Sequence, residues 1–393
     1  MKKSNITVSV FFLLILGILT VASIFNPVRE SSESENRELA QMPELTLESL
    51  FDSSDKGFTK GYEKFVTDQF VWRDGWITVK NSFDKLLGKT VFNNVYLADD
   101  GYFIEYRSAG GLDAEALDRI ENNIGYLKEY SDKMNEKLTG NTVIAIAPTA
   151  ALIHADKLPR FNDEYDWKGL LDRIEVSVGE SYADLYTTLQ AHKDEYIYYR
   201  TDHHWTTDGA YLAYAEIIKE FGFEPVPKED FDRVRVADDF YGTIISKVNM
   251  NSDPDEIYAY EPKNGFDVKV HYESGIKDSF YNEEKLATKD KYAYFFGGNP
   301  GFMKIESNNA ESDRVLVLAK DSYANCMIPL LSCHFSKIYV IDLREFNVNL
   351  GDYVNTEVQS DIMKPYEIMD ATDTLVLYNA SSLIDARELF KLP

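Results

Sequence analysis

The stretch TDHHW at residues 201–205 places a carboxylate two positions before an imidazole. In an extended segment, successive side chains point to opposite sides, so Asp202 and His204 would share one side and His203 would point away. A carboxylate beside an imidazole accepts one ring N–H, fixes the tautomer and stabilises the imidazolium ion. The spacing therefore predicts a catalytic dyad of Asp202 and His204.

Two other interpretations of this stretch stay open. In the first, Asp202 serves a turn and His203 is hydrogen-bonded in the core, and for His203 we prefer this structural interpretation. In the second, the two histidines bind a metal ion and carboxylates complete the site. The other histidines of the chain form no ligand pattern with them; these are His154, His192, His271 and His334. We therefore expect no metal and no cofactor.

The segment RVLVLAKDSYANCM (314–327) predicts where a nucleophile would stand. It predicts a buried strand, a tight turn and a helix. In parallel α/β folds, functional residues collect where strands end. Ser322 would then begin the helix, where unpaired backbone N–H groups and the helix dipole can stabilise an oxyanion. A serine that only caps the helix is the alternative, but the separate Asp-x-His pair favours a nucleophile.

Three further residues are candidates for binding the substrate. In FFGGNPG (295–301) the glycines let backbone approach a ligand. Asn299 is a candidate second oxyanion donor there, although a plain turn explains the pattern equally well. Arg344 follows the predicted strand VIDL and is a candidate substrate contact, with a surface arginine as the alternative. Asn379 follows LVLY and is a weaker candidate of the same kind.

Predicted strands and helices alternate through most of the chain, which indicates an α/β fold with a parallel sheet covered on both faces. Continuous apolar runs predict the strands, and apolar residues at helical spacing predict the helices. The predicted strands are 141–148, 196–201, 314–321, 337–343 and 374–380, and the predicted helices are 113–138, 207–221, 322–335 and 382–391. The Tyr-, Asp-, Lys- and Gly-rich segment at 223–290 predicts an irregular β-rich insertion.

The first quarter of the chain has a different organisation. Residues 61–88 carry apolar side chains at helical spacing and predict an amphipathic helical arm, with Trp72 and Trp76 in its core. The predicted domains are a signal-anchor or transmembrane helix at 1–26, a polar linker at 27–57, the helical arm at 58–89 and the α/β domain at 90–393.

Residues Ile6–Phe25 form an uncharged apolar run long enough to cross the hydrocarbon core of a bilayer. The run also resembles the apolar region of a secretory signal, with TVA at 20–22 as a candidate cleavage site. We predict an uncleaved signal-anchor in the cell membrane, with secretion after cleavage as the alternative. Lys2 and Lys3 would stay in the cytoplasm, so both interpretations export the rest of the chain.

The net charge of −25 argues against nucleic acid as a partner, because binding phosphates requires clustered Lys and Arg. A general attraction to anionic lipid and a strongly polyanionic substrate are disfavoured for the same reason. With 44% apolar residues, the chain can build a large core, so global disorder is excluded.

Four segments occur in an order that resembles a known family: SENRELAQMP (34–43), FVTDQFVWRD (65–74), TDHHWT (201–206) and KDSYAN (320–325), after an apolar N-terminus. They resemble the DHHW-motif proteins, relatives of the periplasmic alginate O-acetyltransferases within the SGNH-hydrolase-like superfamily. The resemblance implies a three-layer αβα fold. Lys320 departs from the pattern, since this superfamily usually has glycine before Asp-Ser.

The resemblance also implies an activity and partners. It implies a Ser-His-Asp triad of Ser322, His204 and Asp202 that forms an acetyl-enzyme. It implies O-acetyl transfer to an exported polysaccharide, or acetylesterase action on one, with a membrane-bound O-acyltransferase supplying the acetyl groups. The alternatives are a non-catalytic glycan-binding or scaffold protein of a polysaccharide export complex, and a metal-dependent hydrolase.

Overall fold

A computed structural model of the chain describes residues 2–32, 35 and 37–393. Parts of two predicted segments lie outside the described residues: Met1 of the membrane segment, and Glu33, Ser34 and Asn36 of the linker. The chain divides into two compact units, of which unit 1 is Met1–Asn93 with Ile245–Ser252 and unit 2 is Asn94–Ile244 with Asp253–Pro393. The predicted domain boundaries stay a prediction.

Helices and short strands make up both units. The α-helices are α1 (Lys2–Phe25), α2 (Leu47–Phe51), α3 (Phe58–Asp68), α4 (Arg73–Leu86), α5 (Ala114–Lys137), α6 (Ala150–Ile153), α7 (Trp167–Val178), α8 (Tyr186–Ala191), α9 (Thr207–Glu220), α10 (Thr243–Val248), α11 (Ile328–Leu331), α12 (Leu350–Tyr353) and α13 (Ala380–Asp385). The β-strands are β1 (Ser31–Ser32), β2 (Arg37–Glu38), β3 (Val91–Phe92), β4 (Val95–Leu97), β5 (Phe103–Glu105), β6 (Thr142–Ala147), β7 (Tyr182–Ala183), β8 (Phe231–Phe240), β9 (Asp255–Pro262), β10 (Val268–Tyr272), β11 (Gly275–Lys277), β12 (Phe302–Ser307), β13 (Ser312–Lys320), β14 (Phe335–Ile341) and β15 (Asp373–Asn379).

Unit 1 contains α1. Its residues Ile6–Phe25 have a mean hydropathy of 2.7, and no residue in the most apolar part of this stretch is buried. By length and composition this helix can cross a membrane.

The predicted helical arm is two helices, α3 and α4, because Trp72 between them adopts a left-handed backbone conformation with φ of 54°. Trp72 and Trp76 are exposed, so the prediction that they form a core is wrong. The face of α4 that is covered is a polar one.

Unit 2 is built on an eight-stranded sheet with the order β11-β10-β12-β14-β13-β15-β6-β7. From β14 to β7 each strand is parallel to its neighbour, which confirms the predicted parallel sheet. β12, β10 and β11 extend the sheet as antiparallel strands. Within the predicted β-rich insertion, β8 and β9 pair with each other, whereas β10 and β11 join the main sheet.

Helices cover the parallel part of this sheet. α5, α7 and α13 pack together as one group, and α8, α9 and α11 pack as another. β6 contacts α5 of the first group and α9 of the second, and all of its residues are buried. A strand buried along its whole length is expected where both faces of a parallel sheet are covered. Unit 2 is therefore a three-layer αβα structure.

The predicted strand at 196–201 is wrong. These residues form an irregular loop, in which Tyr198 and Trp205 make only an isolated bridge. The backbone N–H groups of Arg200 and Thr201 are bound by the carboxylate of Asp255, so they are not available to a neighbouring strand.

The predicted helix at 322–335 is also wrong. In its place are a 3-10 turn at Ser322–Ala324, the short helix α11 and the start of β14. Pro329 has no backbone N–H, so it cannot donate the hydrogen bond that one continuous helix would require. Ser322 therefore lacks the dipole of a long helix. The predicted closing helix at 382–391 is likewise shorter, since α13 ends at Asp385.

Candidate active site

The loop that carries TDHHW is a tight reversal leading into α9. Backbone hydrogen bonds from Tyr199 N–H to His204 O (3.2 Å) and from Thr206 N–H to Ile197 O (2.9 Å) hold its two sides together. The side chain of Thr206 also caps the N-terminus of α9. The loop is thus fixed at both ends of the motif, and its tip can present side chains in one arrangement.

Asp255, at the start of β9, shapes the tip of this loop. Its buried carboxylate accepts hydrogen bonds from the backbone N–H groups of Arg200 (2.9 Å) and Thr201 (2.8 Å) and from the Thr201 hydroxyl (2.6 Å). The hydroxyl of Tyr196 donates to the same carboxylate. Burial raises the pKa of Asp255 above its usual value, and the four donors oppose that rise. The local sequence around TDHHW contains no signal for this residue.

The predicted triad residues lie in one chain of hydrogen bonds. His204 Nδ1 is 2.5 Å from Asp202 Oδ1, and His204 Nε2 is 2.7 Å from Ser322 Oγ. Asp202 and His204 are buried, while Ser322 is partly exposed. The segment is not extended as expected. Instead, the two side chains meet in a turn in which Asp202 Oδ1 also accepts the His204 backbone N–H (3.1 Å).

Protonation at this site follows from the partners. An ionised Asp202 can only accept, so His204 Nδ1 donates to it and Nε2 accepts the Ser322 hydroxyl proton. Burial and the neighbouring His203 ring lower the pKa of His204, outweighing the opposite effect of Asp202. For Asp202 itself, burial would raise the pKa, but the two histidines and the hydrogen bonds hold it below its usual value. A charged carboxylate beside a neutral base is the result.

Residues 242 and 243 complete the surroundings of Asp202. Thr243 donates to Asp202 Oδ2 from its backbone N–H (2.8 Å) and from its hydroxyl (3.0 Å). A Cβ atom on Gly242 would stand 2.2 Å from Asp202 Cβ, so only glycine fits there. Both residues belong to the predicted insertion, and their distance in sequence from TDHHW explains why sequence reasoning missed them.

The His204 ring is held between two other rings. His203 lies on one side, with ring centroids 3.9 Å apart, and its Nδ1 is 2.9 Å from the Thr243 hydroxyl. The Tyr292 ring stacks at 3.9 Å, with planes 15° apart, and its hydroxyl donates to Ser322 O at 3.2 Å. The prediction of His203 as a core residue is wrong, since its side chain is 33% exposed. It packs on His204, and Tyr292 was not predicted.

Asp202, His203 and His204 also meet a distance test for metal binding, since one ligand atom of each lies within 4.8 Å of the others. In the described structure, however, both ring nitrogens of His204 and both oxygens of Asp202 are engaged by protein groups. A metal ion would have to replace these hydrogen bonds. The donor set therefore fits a proton-transfer site better than a preformed metal site.

Asn299 belongs to a polar cluster beside Ser322. The buried Lys320 ammonium donates to Asn299 Oδ1 (3.0 Å) and to Asn325 Oδ1 (2.7 Å). Asn325 Nδ2 donates to Asn299 Oδ1 as well, at 3.0 Å. Two donors on its oxygen fix the orientation of the Asn299 carboxamide, so its N–H₂ group points away from the cluster. Burial lowers the pKa of Lys320 to about 8. The oxyanion role of Asn299 stays a prediction.

The two remaining candidates have structural partners. Arg344 forms a two-pronged ion pair with the buried Asp342, with Nε–Oδ1 at 2.8 Å and Nη2–Oδ2 at 2.5 Å, and its side chain is 43% exposed. Its contact with substrate stays a prediction. Asn379 Nδ2 donates to the carbonyls of Ala147 (3.2 Å) and Pro148 (3.3 Å) and so joins the ends of β15 and β6.

The hydrogen-bonded Ser-His-Asp arrangement lies at the carboxyl edge of a parallel sheet within an αβα unit, as expected for the predicted SGNH-hydrolase-like fold. The DHHW protein family matches residues 131–341, which is more than half of the chain. The chain belongs to this family, and the resemblance inferred from the sequence motifs is confirmed. No curated protein sequence matches the chain.

Two solved structures, from Eubacterium siraeum and Bacillus cereus, agree with this fold. A DHHW family protein from Eubacterium siraeum is 25% identical with a TM-score of 0.60, and the match covers 77% of this chain and 95% of that one. PatB1 from Bacillus cereus, solved with a sulfonyl adduct, is 20% identical with a TM-score of 0.59, and the match covers 76% of this chain and 97% of that one. The O-acetyltransferase domain of Pseudomonas putida AlgJ is more distant, at 15% identity and a TM-score of 0.46. That match covers 76% of this chain and 94% of that one.

Replacing Asp255 with alanine is expected to destabilise unit 2, because the N–H groups of Arg200 and Thr201 would lose their buried acceptor. Each unsatisfied buried donor costs about 1–3 kcal/mol, so the free energy of unfolding should fall by at least about 2 kcal/mol. Urea denaturation measures the change, with Asp253→Ala, an exposed carboxylate on the same segment, as the control. Equal stability of the two variants would show that Asp255 does not organise the loop.

Replacing Thr243 with valine is expected to lower the free energy of unfolding by about 1.5–3 kcal/mol in urea denaturation, because hydrogen bonds to charged groups contribute about that much. The variant keeps the backbone N–H bond to Asp202 and loses only the hydroxyl. Thr243→Ser keeps the hydroxyl and is the matched control, with a free energy of unfolding near that of the wild type. If the serine and valine variants are equally destabilised, the hydroxyl bonds of Thr243 to Asp202 and His203 do not contribute to stability.

Proposed function

We propose that this protein is an exported O-acetyltransferase or acetylesterase that acts on a cell-surface or secreted polysaccharide through a serine nucleophile. The observation that carries the proposal is the chain of hydrogen bonds from Asp202 through His204 to Ser322. Membership of the DHHW family and the SGNH-hydrolase-like fold are consistent with it.

The proposed reaction has two half-reactions. His204 Nε2 takes the proton of Ser322 Oγ while Oγ attacks the acetyl carbonyl carbon of the donor. The tetrahedral intermediate collapses, the donor oxygen leaves with the proton from His204, and an acetyl-enzyme remains on Ser322. A sugar hydroxyl, or water, then gives its proton to His204 and attacks the same carbonyl. As this second intermediate collapses, His204 returns the proton to Ser322 Oγ, which restores the serine and releases the acetylated sugar, or acetate.

Asp202 orients the imidazole and stabilises the imidazolium that forms in each half-reaction. Packing of the ring between His203 and Tyr292 limits its rotation, which keeps Nε2 directed at the serine. The oxyanion would be bound by the Ser322 backbone N–H and by the Asn299 amide. The bonds from Lys320 to Asn299 support this assignment, because they orient the amide.

Transferase and esterase differ only in the acceptor of the second half-reaction. Exclusion of water from the acetyl-enzyme favours the sugar hydroxyl. The segment at 223–290 is the candidate cover, since its residues Gly242 and Thr243 already contact the catalytic carboxylate. Arg344 is the candidate contact for the substrate.

We further propose that α1 is an uncleaved signal-anchor that holds the protein in the cell membrane with the rest of the chain outside the cytoplasm. The proposed domains are the anchor at 1–26, a linker at 27–57, the helical arm at 58–89 and the catalytic domain at 90–393. A membrane-bound O-acyltransferase would deliver acetyl groups across the bilayer. The polysaccharide would be the acceptor.

Activity toward an activated acetyl ester tests the proposal in wild type, Ser322→Ala and His204→Ala. Both variants are expected to lose at least about 10³-fold in kcat, as expected for members of one nucleophile–base unit. Ser360→Ala, the same substitution at an exposed serine away from the site, is the control and is expected to keep wild-type kcat. Activity that survives Ser322→Ala would favour a non-catalytic glycan-binding protein with a contaminant, and loss of activity on addition of chelator would favour a metal-dependent hydrolase.

The pH dependence follows from His204. Its pKa lies below the ordinary 6.5 because of burial and the His203 ring. The reaction needs the neutral base, so activity is retained above the lowered pKa and is lost as pH falls through it. The acid limb of kcat/KM should therefore lie below pH 6.5. His203→Gln removes the ring that lowers the pKa of His204 and should move the limb upward; an unchanged limb in this variant would contradict the account.

A further inference from the structure

Helix α4 has its polar and apolar faces reversed relative to an ordinary surface helix. Its polar side meets the segment Ile245–Ser252 of the same unit. Asn81 Nδ2 donates to Val248 O at 2.7 Å, and the Thr78 hydroxyl donates to Asn249 Oδ1 at 3.3 Å. Asn249 Nδ2 donates in turn to Asp74 O at 3.3 Å. Protein therefore covers the polar face of α4.

The apolar face of α4 is exposed. From Trp76 onward, large apolar side chains recur every three or four residues, which places them on one side of the helix. We call the exposed set the apolar stripe; it consists of Trp76, Val79, Phe83 and Leu86 on the helix and Trp72 directly before it. Trp72 is 72% exposed and Trp76 is 48% exposed. An apolar surface of this length is unusual on a protein surface and marks a site of contact.

Hydrogen bonds tie the start of α4 to the end of α1. Asn26, one residue beyond α1, donates from Nδ2 to Gln69 O at 3.3 Å. Arg29 donates from its backbone N–H to Gln69 Oε1 at 2.9 Å and from its guanidinium to Asp74 Oδ2 at 2.8 Å. Trp72 is three residues beyond Gln69, so its Cα lies within about 10 Å of that anchor point.

We propose that the apolar stripe of α4 lies in the headgroup region of the same membrane that α1 crosses. This rests on the proposed role of α1 as an anchor. With Phe25 at the membrane surface, the bonds from Asn26 and Arg29 hold Trp72 at the depth where tryptophan collects in membranes. An amphipathic helix with its apolar face in the interface then accounts for the reversed faces of α4.

Tryptophan fluorescence tests the proposal in the full chain, reconstituted into phosphatidylcholine vesicles that contain lipid with a nitroxide quencher near the headgroup. The chain has four tryptophans, and Trp167 and Trp205 are buried. Quenching should therefore come from Trp72 and Trp76, and should be largely lost in the double variant Trp72→Phe/Trp76→Phe. Flotation of the vesicles reports separately whether α1 anchors the chain.

Two variants in that double-phenylalanine background form a matched pair. Phe83→Trp places a reporter on the stripe, and Lys85→Trp places one on an exposed position about 200° away around the helix. The Phe83→Trp emission should be quenched at least about twofold more than the Lys85→Trp emission. Equal quenching of the two, or no quenching in vesicles that carry the chain on flotation, would overturn the proposal and indicate a protein partner or a second copy. Failure to float would refute the anchor and the proposal together.

Discussion

The structure of the site depends on one requirement, that the buried carboxylate of Asp202 stay charged. Burying a charge is costly unless hydrogen bonds replace the lost water. Asp202 receives them from the backbone and Nδ1 of His204 and from the backbone and hydroxyl of Thr243. The position of His204, the N-terminus of α10 and the need for glycine at 242 all follow from satisfying this one group.

The sheet brings the second half of the site to this carboxylate. β13 ends at Lys320, and the 3-10 turn that follows presents Ser322 to His204 across 118 residues of sequence. Trp205 Nε1 donates to Tyr323 O at 2.9 Å, and the Tyr323 hydroxyl donates to His203 O. The two sequence motifs are thus joined by two hydrogen bonds in addition to the one between His204 and Ser322. That connection keeps the serine at a fixed distance from its base.

The sequence was informative where chemistry or burial leaves a local pattern. The apolar runs that became β6, β13 and β15, and the Asp-x-His and Asp-Ser motifs, could be recognised without the fold. Asp255, Thr243 and Tyr292 could not, because each acts through a contact formed only after distant segments meet. The prediction of a strand at 196–201 failed for the same reason, since the backbone N–H groups of Arg200 and Thr201 donate to Asp255 and not to a neighbouring strand. Lys320 could be recognised as a departure from the family pattern, but its hydrogen bonds to Asn299 and Asn325 could not be predicted.

The central claim is that Ser322 is a nucleophile activated by His204. The most direct measurement is intact mass and peptide mapping after exposure of the full chain to an aryl sulfonyl fluoride, whose sulfur an activated serine attacks with loss of fluoride. The account predicts one sulfonyl group per chain, located on Ser322, and slow or absent labelling in His204→Ala. No labelling of the wild type, or labelling of Ser322 at the same rate without His204, would contradict it.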